Sequence, residues 1–206
     1  QVIRDLGIKA EGKQTKEDRL QGYFAMDIQK YLAAKGRKII GWDELLESNV
    51  DTSATIMSWQ GADPGAQAAA LGHEVIMTPN SYAYFDYYQT DKKNNEPLCI
   101  GGTLPIAKTY SFEPVPVTAT PEVAARILGV QANLWTEYLS SPQLVEYQVL
   151  PRMGALSEVQ WMAPEAKDYN DFVNRVEGLR TYYELRGYTY AKHLWPGLYL
   201  KGSRGL

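Results

Sequence analysis

Six side chains in four short stretches of the sequence could together bind and polarise a polar ligand. They are Trp42, Trp59, Tyr84, Asp86, Trp135 and Glu137. Ionised carboxylates only accept hydrogen bonds, which suits a ligand rich in hydroxyl groups. The phenol of Tyr84 can donate a hydrogen bond that polarises a carbonyl or stabilises an oxyanion. With three indole rings as walls, the set predicts an aromatic cup for a molecule that is apolar on one face and hydrogen-bonding on the other.

Each of these residues also has a simpler interpretation. A single tryptophan at a strand end usually packs a helix against a sheet, and a carboxylate just after a strand often caps the next helix. Asp86 and Glu137 are both placed for such a cap. Three further tyrosines lie beside Tyr84, and composition does not rank them: Tyr82, Tyr87 and Tyr88.

The adjacent acids Asp43 and Glu44 follow Trp42 directly and have the composition of a general-acid pair. They could equally cap a short helix or brace a loop. The elements around them decide between these roles.

Four short apolar segments alternate with helical patterns, which predicts βα units and a parallel sheet. The predicted strands are "RKIIGW", "ATIMSW", "HEVIMTP" and "RILGVQANLW". Because the carboxyl ends of parallel strands meet at one rim, the six candidate residues are expected at the ligand-facing edge.

Helix signals are clear at both ends of the chain. Thr15 and Asp18 form a capping pattern, and apolar residues recur at helical spacing up to a stop at Gly36. A short Ala-rich helix is predicted to end at Gly72. The C-terminal part is predicted helical, with a start at Ser141, a kink at Pro151, and a last helix that begins near Asp168 or Asn170 and ends at Gly187.

The connection from Pro79 to about Thr120 is long for a compact domain and rich in tyrosine, so we expect a binding loop there. Within it, "IGGTLP" lacks the lysine of a phosphate-binding loop. Cys99 has no histidine or lysine close in sequence and is expected to be a buried, inert thiol.

Composition narrows the class of protein. The net charge is −3, with 15 tyrosines and five tryptophans against four phenylalanines. This charge gives no basic footprint for nucleic acid, and no apolar run is long enough for a transmembrane segment. With one cysteine and two histidines, neither a disulfide framework nor a zinc site is expected, and we predict no metal or cofactor.

Four stretches resemble family 20 glycoside hydrolases, the β-N-acetylhexosaminidases: "GRKIIGWDE", "SWQG", "VIMTPNSYAYFDYYQ" and "GVQANLWTEY…PRMGALSEVQW". The most specific pieces are Y-x-D in "YFD" and W-x-E in "LWTE". The likeness covers nearly the whole chain in order. It implies an α/β fold in which residues 1–206 are the second half, strands five to eight, of a (β/α)8 TIM barrel with C-terminal helices.

The resemblance implies removal of terminal N-acetylglucosamine or N-acetylgalactosamine with retention, the nucleophile being the 2-acetamido oxygen of the substrate. An Asp–Glu pair after an H-x-G-G-D-E pattern on the fourth strand completes that chemistry, and no such pattern occurs here. The acid pair is therefore expected upstream. Asp43 and Glu44 follow the fifth strand, where the family often has an amide first, so they are expected to cap or brace.

Residue by residue, the resemblance makes Trp42, Trp59 and Trp135 the indoles around the acetamido methyl and the sugar ring. Tyr84 becomes the phenol that aligns the acetamido oxygen, and Asp86 and Glu137 become acceptors for the O4 and O6 hydroxyls. The implied partners are a glycan or glycoconjugate with a terminal β-N-acetylhexosamine and the N-terminal half of the same polypeptide. The implied location is secreted, periplasmic or at the cell surface.

A half-barrel exposes two sheet edges and half an apolar interior, so we expect these 206 residues not to fold stably alone. Two other functions stay open from the sequence. A barrel that lost its acid pair could bind N-acetylhexosamines as a lectin-like module. A chitinase of the other substrate-assisted family would also carry its acids on the absent fourth strand.

Overall fold

The computed structural model describes residues 1–48 and 50–195. These residues form two compact units, the first from 1–79 and 114–129, the second from 80–113 and 130–195. Helices and strands alternate through the first unit, and the second is helical. Each unit is described separately below.

The first unit contains a four-stranded sheet with the strands in sequence order. The strands are β1 (Ile40–Trp42), β2 (Thr55–Ser58), β3 (Val75–Met77) and β4 (Ile127–Val130), the last residue of β4 belonging to the second unit. β1 pairs with β2, and β2 with β3, in parallel. The parallel α/β prediction is confirmed. The strands are shorter than predicted, since β4 stops at Val130, five residues before Trp135.

Helix α1 (Val2–Asp5) precedes α2 (Lys16–Ala33), and α3 (Ala62–Leu71) and α6 (Pro121–Ala124) follow later in the unit. The predicted capping box is present at α2, where Thr15 accepts from the Asp18 amide and Asp18 accepts from the Thr15 amide. The last helical residue is Ala33, slightly before the predicted stop at Gly36. Gly72 ends α3 in the left-handed conformation, as predicted.

The core of the first unit lies where α3 covers β2 and β3. Ile56, Val75 and Met77 are fully buried there. Gly65 allows the close approach, because a Cβ at this position would lie 2.5 Å from the Met77 sulfur. The outer strands carry exposed apolar side chains, with Ile40 59% and Leu128 58% exposed.

The apolar repeat of α2 is not the face that this unit buries. Phe24, Ile28 and Tyr31 are 64%, 38% and 60% exposed. The buried residues are Gly22 and Gln29, and the Gln29 amide exchanges two 3.0 Å hydrogen bonds with the backbone of Asp51. Side-chain hydrogen bonding therefore attaches this helix where the periodicity predicted apolar packing.

The second unit contains α4 (Asn80–Ala83), α5 (Ile106–Tyr110), α7 (Pro142–Val149), α8 (Arg152–Trp161) and α9 (Tyr169–Arg186). Its core joins residues of α5, α8 and α9: Ile106, Tyr110, Ala155, Phe172 and Val176. Asp168 caps α9 and Gly187 ends it, as predicted. Pro151 does not kink a single helix but separates α7 from α8, because its ring cannot supply the amide hydrogen of a continuous helix.

Candidate active site

The second unit contains a cavity of about 350 Å³. Its walls are formed by Tyr84, Asp86, Tyr87, Ile100, Gly101, Gly102, Trp135 and Glu137. Four of the six predicted site residues therefore lie together. The other two, Trp42 and Trp59, belong to the first unit.

Backbone pairing brings the two halves of this pocket together. Tyr84 forms a parallel bridge with Asn133. The Phe85 amide donates to the Asn133 carbonyl at 2.7 Å, and the Asn133 amide donates to the Ala83 carbonyl at 2.8 Å. Residues that follow two different strands in sequence are thereby held side by side, and the ring centroids of Tyr84 and Trp135 are 6.4 Å apart.

Tyr84 is a buried phenol within an aromatic cluster. It is 8% exposed, and its ring lies 5.7 Å from that of Tyr87. Burial raises the pKa of Tyr84 above its usual value, with a smaller opposing effect of the Trp135 and Asn133 side chains. The hydroxyl thus keeps its proton near neutral pH and can serve as a hydrogen-bond donor.

Asp86 is a buried carboxylate that lines the cavity. It is 5% exposed, and its Oδ1 has no hydrogen-bond partner among the described residues. Its pKa is raised to about 6, mainly by burial and to a smaller extent by the charge of Glu137, while a backbone hydrogen bond and the charge of Arg152 act in the other direction. Because buried acceptors in proteins are normally satisfied, this oxygen is suited to accept a hydrogen bond from a ligand.

Neither carboxylate of the pocket caps a helix of the described chain. Asp86 and Glu137 are both followed by turns, and the next α-helices begin at Ile106 and Pro142. The simpler interpretation of these two acids is therefore wrong. Trp135 and Glu137 lie at the open rim, where Trp135 is 41% exposed.

The pocket also contains residues to which the sequence alone assigned no role. The Tyr87 ring packs on Gly102, whose φ is +65° and where a Cβ would lie 2.3 Å from the ring. Burial, with the charge of Asp86, raises the pKa of Tyr87. The Gly101–Gly102 pair was visible in "IGGTLP", but a glycine pair by itself does not reveal which ring will lie against it.

Asp43 and Glu44 brace a loop of the first unit, as expected. The indole nitrogen of Trp59 donates to both Glu44 oxygens, at 3.0 and 3.1 Å. Asp43 accepts from the backbone and side-chain nitrogens of Gln60, each at 3.1 Å. Through these hydrogen bonds Glu44 positions Trp59, and Asp43 positions Gln60. Trp42, directly before them, is partly buried.

Cys99 is 5% exposed, which confirms the predicted burial, and this burial raises the pKa of its thiol to about 11. Across residues 1–48 and 50–195, no three His, Cys, Asp or Glu side chains are placed to hold a metal ion. Over the same residues, no helix combines the length and apolar character needed to cross a membrane.

The fold and the pocket define the class of protein. A parallel α/β arrangement, with an aromatic and acidic pocket on the segments that follow two strands, is the arrangement of ligand sites in barrel enzymes. Comparison with known proteins identifies the family.

Residues 4–164 match the catalytic domain of glycosyl hydrolase family 20. A β-hexosaminidase of Porphyromonas gingivalis is 40% identical over 189 residues, which are 91% of this chain and 23% of that protein. A β-N-acetylhexosaminidase of Cellulomonas fimi is 31% identical over 88% of this chain and 37% of its own length. The chain belongs to glycosyl hydrolase family 20.

Solved structures agree with this assignment. An exo-β-N-acetylglucosaminidase of Vibrio harveyi, in complex with N-acetylglucosamine, matches 94% of this chain and 30% of its own, with a TM-score of 0.77 and 28% identity. A family 20 β-N-acetylhexosaminidase from Streptomyces coelicolor matches 83% of this chain and 36% of its own, with a TM-score of 0.73 and 25% identity. The chain thus spans less than half the length of these relatives, and its fold is that of a (β/α)8 barrel fragment.

Proposed function

We propose that this chain is part of an exo-β-N-acetylhexosaminidase and supplies the wall that binds the terminal sugar. One observation supports this most directly: a single cavity unites a buried phenol, a buried carboxylate oxygen without a partner in the described chain, and an indole. A pyranose ring presents hydroxyls at its edge and C–H groups on its faces, so it needs acceptors and an aromatic surface together.

In the proposed reaction the carbonyl oxygen of the 2-acetamido group attacks the anomeric carbon. The glycosidic C–O bond breaks, and the leaving oxygen takes a proton from a general acid. Water then opens the oxazolinium ring and regenerates the acetamide with retention. The H-x-G-G-D-E pattern of the family is not in this sequence, so the Asp–Glu pair is assigned to an upstream segment.

The pocket residues take distinct parts in this proposal. Tyr84 donates to the acetamido oxygen and holds it in line with the anomeric carbon. Asp86 and Glu137 accept from the O4 and O6 hydroxyls. Trp135 covers the sugar ring. Trp42 and Trp59, in the first unit, are assigned by the family resemblance alone to indoles that contact the substrate.

The exposed apolar side chains on the outer strands support a further part of the proposal. Ile40 on β1 and Leu128 on β4 are apolar side chains of the kind that a closed barrel buries in its interior or beneath its outer helices. We assign that burial to the N-terminal half of the same polypeptide. Export to a location outside the cytoplasm belongs to the same proposal.

The test is hydrolysis of an aryl N-acetyl-β-D-glucosaminide by the full-length protein. Release of the aryl alcohol is expected, and a 2-trifluoroacetamido substrate should react much more slowly, because fluorine withdraws electrons from the attacking oxygen. Equal rates would contradict substrate assistance. Binding of N-acetylglucosamine without any hydrolysis would instead support the lectin-like alternative.

Sugar binding is expected to weaken as the pH falls through about 6. Asp86 must be ionised to act as a pure acceptor, and its pKa is raised to about 6. Binding to the ionised form should release protons at pH 5.5 and almost none at pH 7.5. Calorimetric titration with N-acetylglucosamine, in two buffers of different ionisation enthalpy, measures this release. An equal proton count at both pH values would contradict the assignment.

Trp135→Ala is expected to raise KM about tenfold with a smaller effect on kcat, because a lost aromatic contact is worth about 1.5 kcal/mol in ground-state binding. Trp161→Ala is the matched control, since Trp161 is 88% exposed on α8 and does not line the pocket. Steady-state kinetics on the aryl glycoside decide the outcome. Equal KM values for the two variants would remove Trp135 from the sugar site.

A further inference from the structure

The second unit contains a fully buried arginine beside the pocket. Arg152, the first residue of α8, has no exposed surface. Its guanidinium carbon lies 4.9 Å from the centre of the Phe85 ring. Burying a guanidinium is costly unless its hydrogen-bond donors are satisfied, so the position of this side chain calls for an explanation.

The donors of Arg152 are directed at backbone carbonyls on both sides of Asp86. Nη2 donates to the carbonyl of Phe85, and Nη1 donates to that of Tyr87 at 3.2 Å. Nη1 also donates to the carbonyl of Leu104 at 3.0 Å. One side chain thereby connects the segment that carries Asp86 with the segment that follows Gly102.

Both segments contribute residues to the pocket wall. They are also joined by the Leu104 amide, which donates to the Tyr88 carbonyl at 2.7 Å, and by packing of Tyr87 on Gly102. The planar fork of an arginine can reach carbonyls in different directions, whereas the single ammonium of a lysine cannot hold the same geometry. Loss of the fork would therefore release the wall on both sides of Asp86.

Helix α7 holds the other side of the guanidinium. Nε and Nη2 donate to the Gln148 carbonyl at 3.0 and 2.8 Å, and Nη2 donates to Gln148 Oε1 at 2.7 Å. The amide nitrogen of Gln148 donates to Cys99 Sγ at 2.7 Å, which fixes the orientation of that amide. Arg152 is thus anchored to a packed helix while it holds the pocket loops.

The acceptors that Arg152 contacts within the described chain are all uncharged, so its positive charge acts on carboxylates through space. The pKa of Arg152 is lowered to about 9 by burial, which the charges of Glu96 and, to a smaller extent, Asp86 oppose. At Asp86 the two nearby charges act in opposite directions, since Glu137 raises the pKa of the carboxyl and Arg152 lowers it.

We propose that Arg152 is a positioning residue for sugar binding, which holds the backbone on both sides of Asp86 and ties it to the segment that follows Gly102. The role rests on the proposed function, because it matters only if Asp86 accepts hydrogen bonds from the ligand. Arg152 itself lies behind the wall and does not contact the sugar.

The first experiment needs no sugar. In the full-length protein with ¹³C-labelled aspartate, the Asp86 carboxyl signal is identified by its loss in Asp86→Asn. In Arg152→Met its titration midpoint should move upward by on the order of one pH unit, because a favourable charge has been removed. In Arg152→Lys the midpoint should stay close to that of the wild type.

The second experiment measures N-acetylglucosamine affinity by tryptophan fluorescence. Arg152→Lys keeps the charge but loses the fork, so its Kd should rise about tenfold, since small displacements in a site have large effects. Val176→Ala is the structural control, because it creates a cavity in the core of the same unit. It should lower the melting temperature without changing the Asp86 titration midpoint or the Kd.

The outcomes separate the two proposals. An unchanged Asp86 titration midpoint in Arg152→Met, or wild-type affinity in Arg152→Lys, would overturn the positioning role. The same conclusion would follow if Val176→Ala changed the midpoint and the Kd as much as the Arg152 variants do. If Arg152→Met does not fold, the Arg152→Lys affinity still decides. If the wild type binds no sugar, the proposed function fails, while the titration still shows whether Arg152 controls Asp86.

Discussion

If the proposed hydrolysis holds, replacing Tyr84 with phenylalanine in the full-length protein is expected to lower kcat on an aryl N-acetylglucosaminide about 100-fold, since the loss of one preorganised donor to a developing charge has an effect of this size. The phenol is buried, and its raised pKa keeps the proton on the oxygen. KM should change little, because the hydrogen bond strengthens as the acetamido oxygen attacks. Steady-state kinetics give both constants.

Tyr82→Phe is the matched control for this experiment. Tyr82 lies two residues away, stacks on Phe112 with ring centroids 4.6 Å apart, and accepts a hydrogen bond from Lys108 at 3.0 Å. It does not line the pocket, so its variant should retain wild-type kcat. A Tyr84→Phe enzyme with the kcat of the control would remove Tyr84 from the proposed role.

Asp86→Asn is expected to lower kcat/KM by about 10- to 100-fold, because hydrogen bonds to a charged group are worth about 1.5–3 kcal/mol. The amide also places donor hydrogens opposite the donor hydroxyls of the sugar. The decrease should appear mainly as a higher KM, and the pH dependence of binding near 6 should disappear. Asp91→Asn, an exposed aspartate in the same connection, is the control.

Asp86→Asn should lower activity but raise the stability of the fold at neutral pH. The folded pKa of Asp86 is about 6, above the unfolded value of about 4, so its contribution to stability is complete below pH 4 and is lost as the pH rises through 6. The melting temperature of Asp86→Asn minus that of the wild type should therefore be larger at pH 7.5 than at pH 4. Reduced activity together with a lower relative melting temperature at pH 7.5 would indicate a structural role instead.

Much of the fold could be predicted from local sequence signals. The capping box at Thr15, the glycine ends at Gly72 and Gly187, and the cap at Asp168 all act within a few residues, so their effect does not depend on distant packing. The alternation of strands and helices was also sufficient to predict the parallel sheet.

Predictions that depended on packing were less accurate. The apolar repeat of α2 indicated a buried face, yet Gln29 is buried and Phe24 is 64% exposed. The strand ending at Trp135 was predicted too long, because β4 stops at Val130 and only the isolated bridge at Asn133 continues the pairing. Pattern alone cannot distinguish a strand from an extended segment that pairs at one residue.

The sequence by itself determined the family, the parallel α/β class and four residues of one pocket, because these depend on residue types in short motifs. Only the tertiary structure revealed that Asp86 is buried with an oxygen lacking a partner in the described chain, that Gly102 admits the Tyr87 ring, and that Arg152 connects two segments of the pocket wall. These features arise from contacts between segments up to 67 residues apart in sequence. Burial and hydrogen-bond satisfaction depend on every neighbour in space, and a linear motif does not encode them.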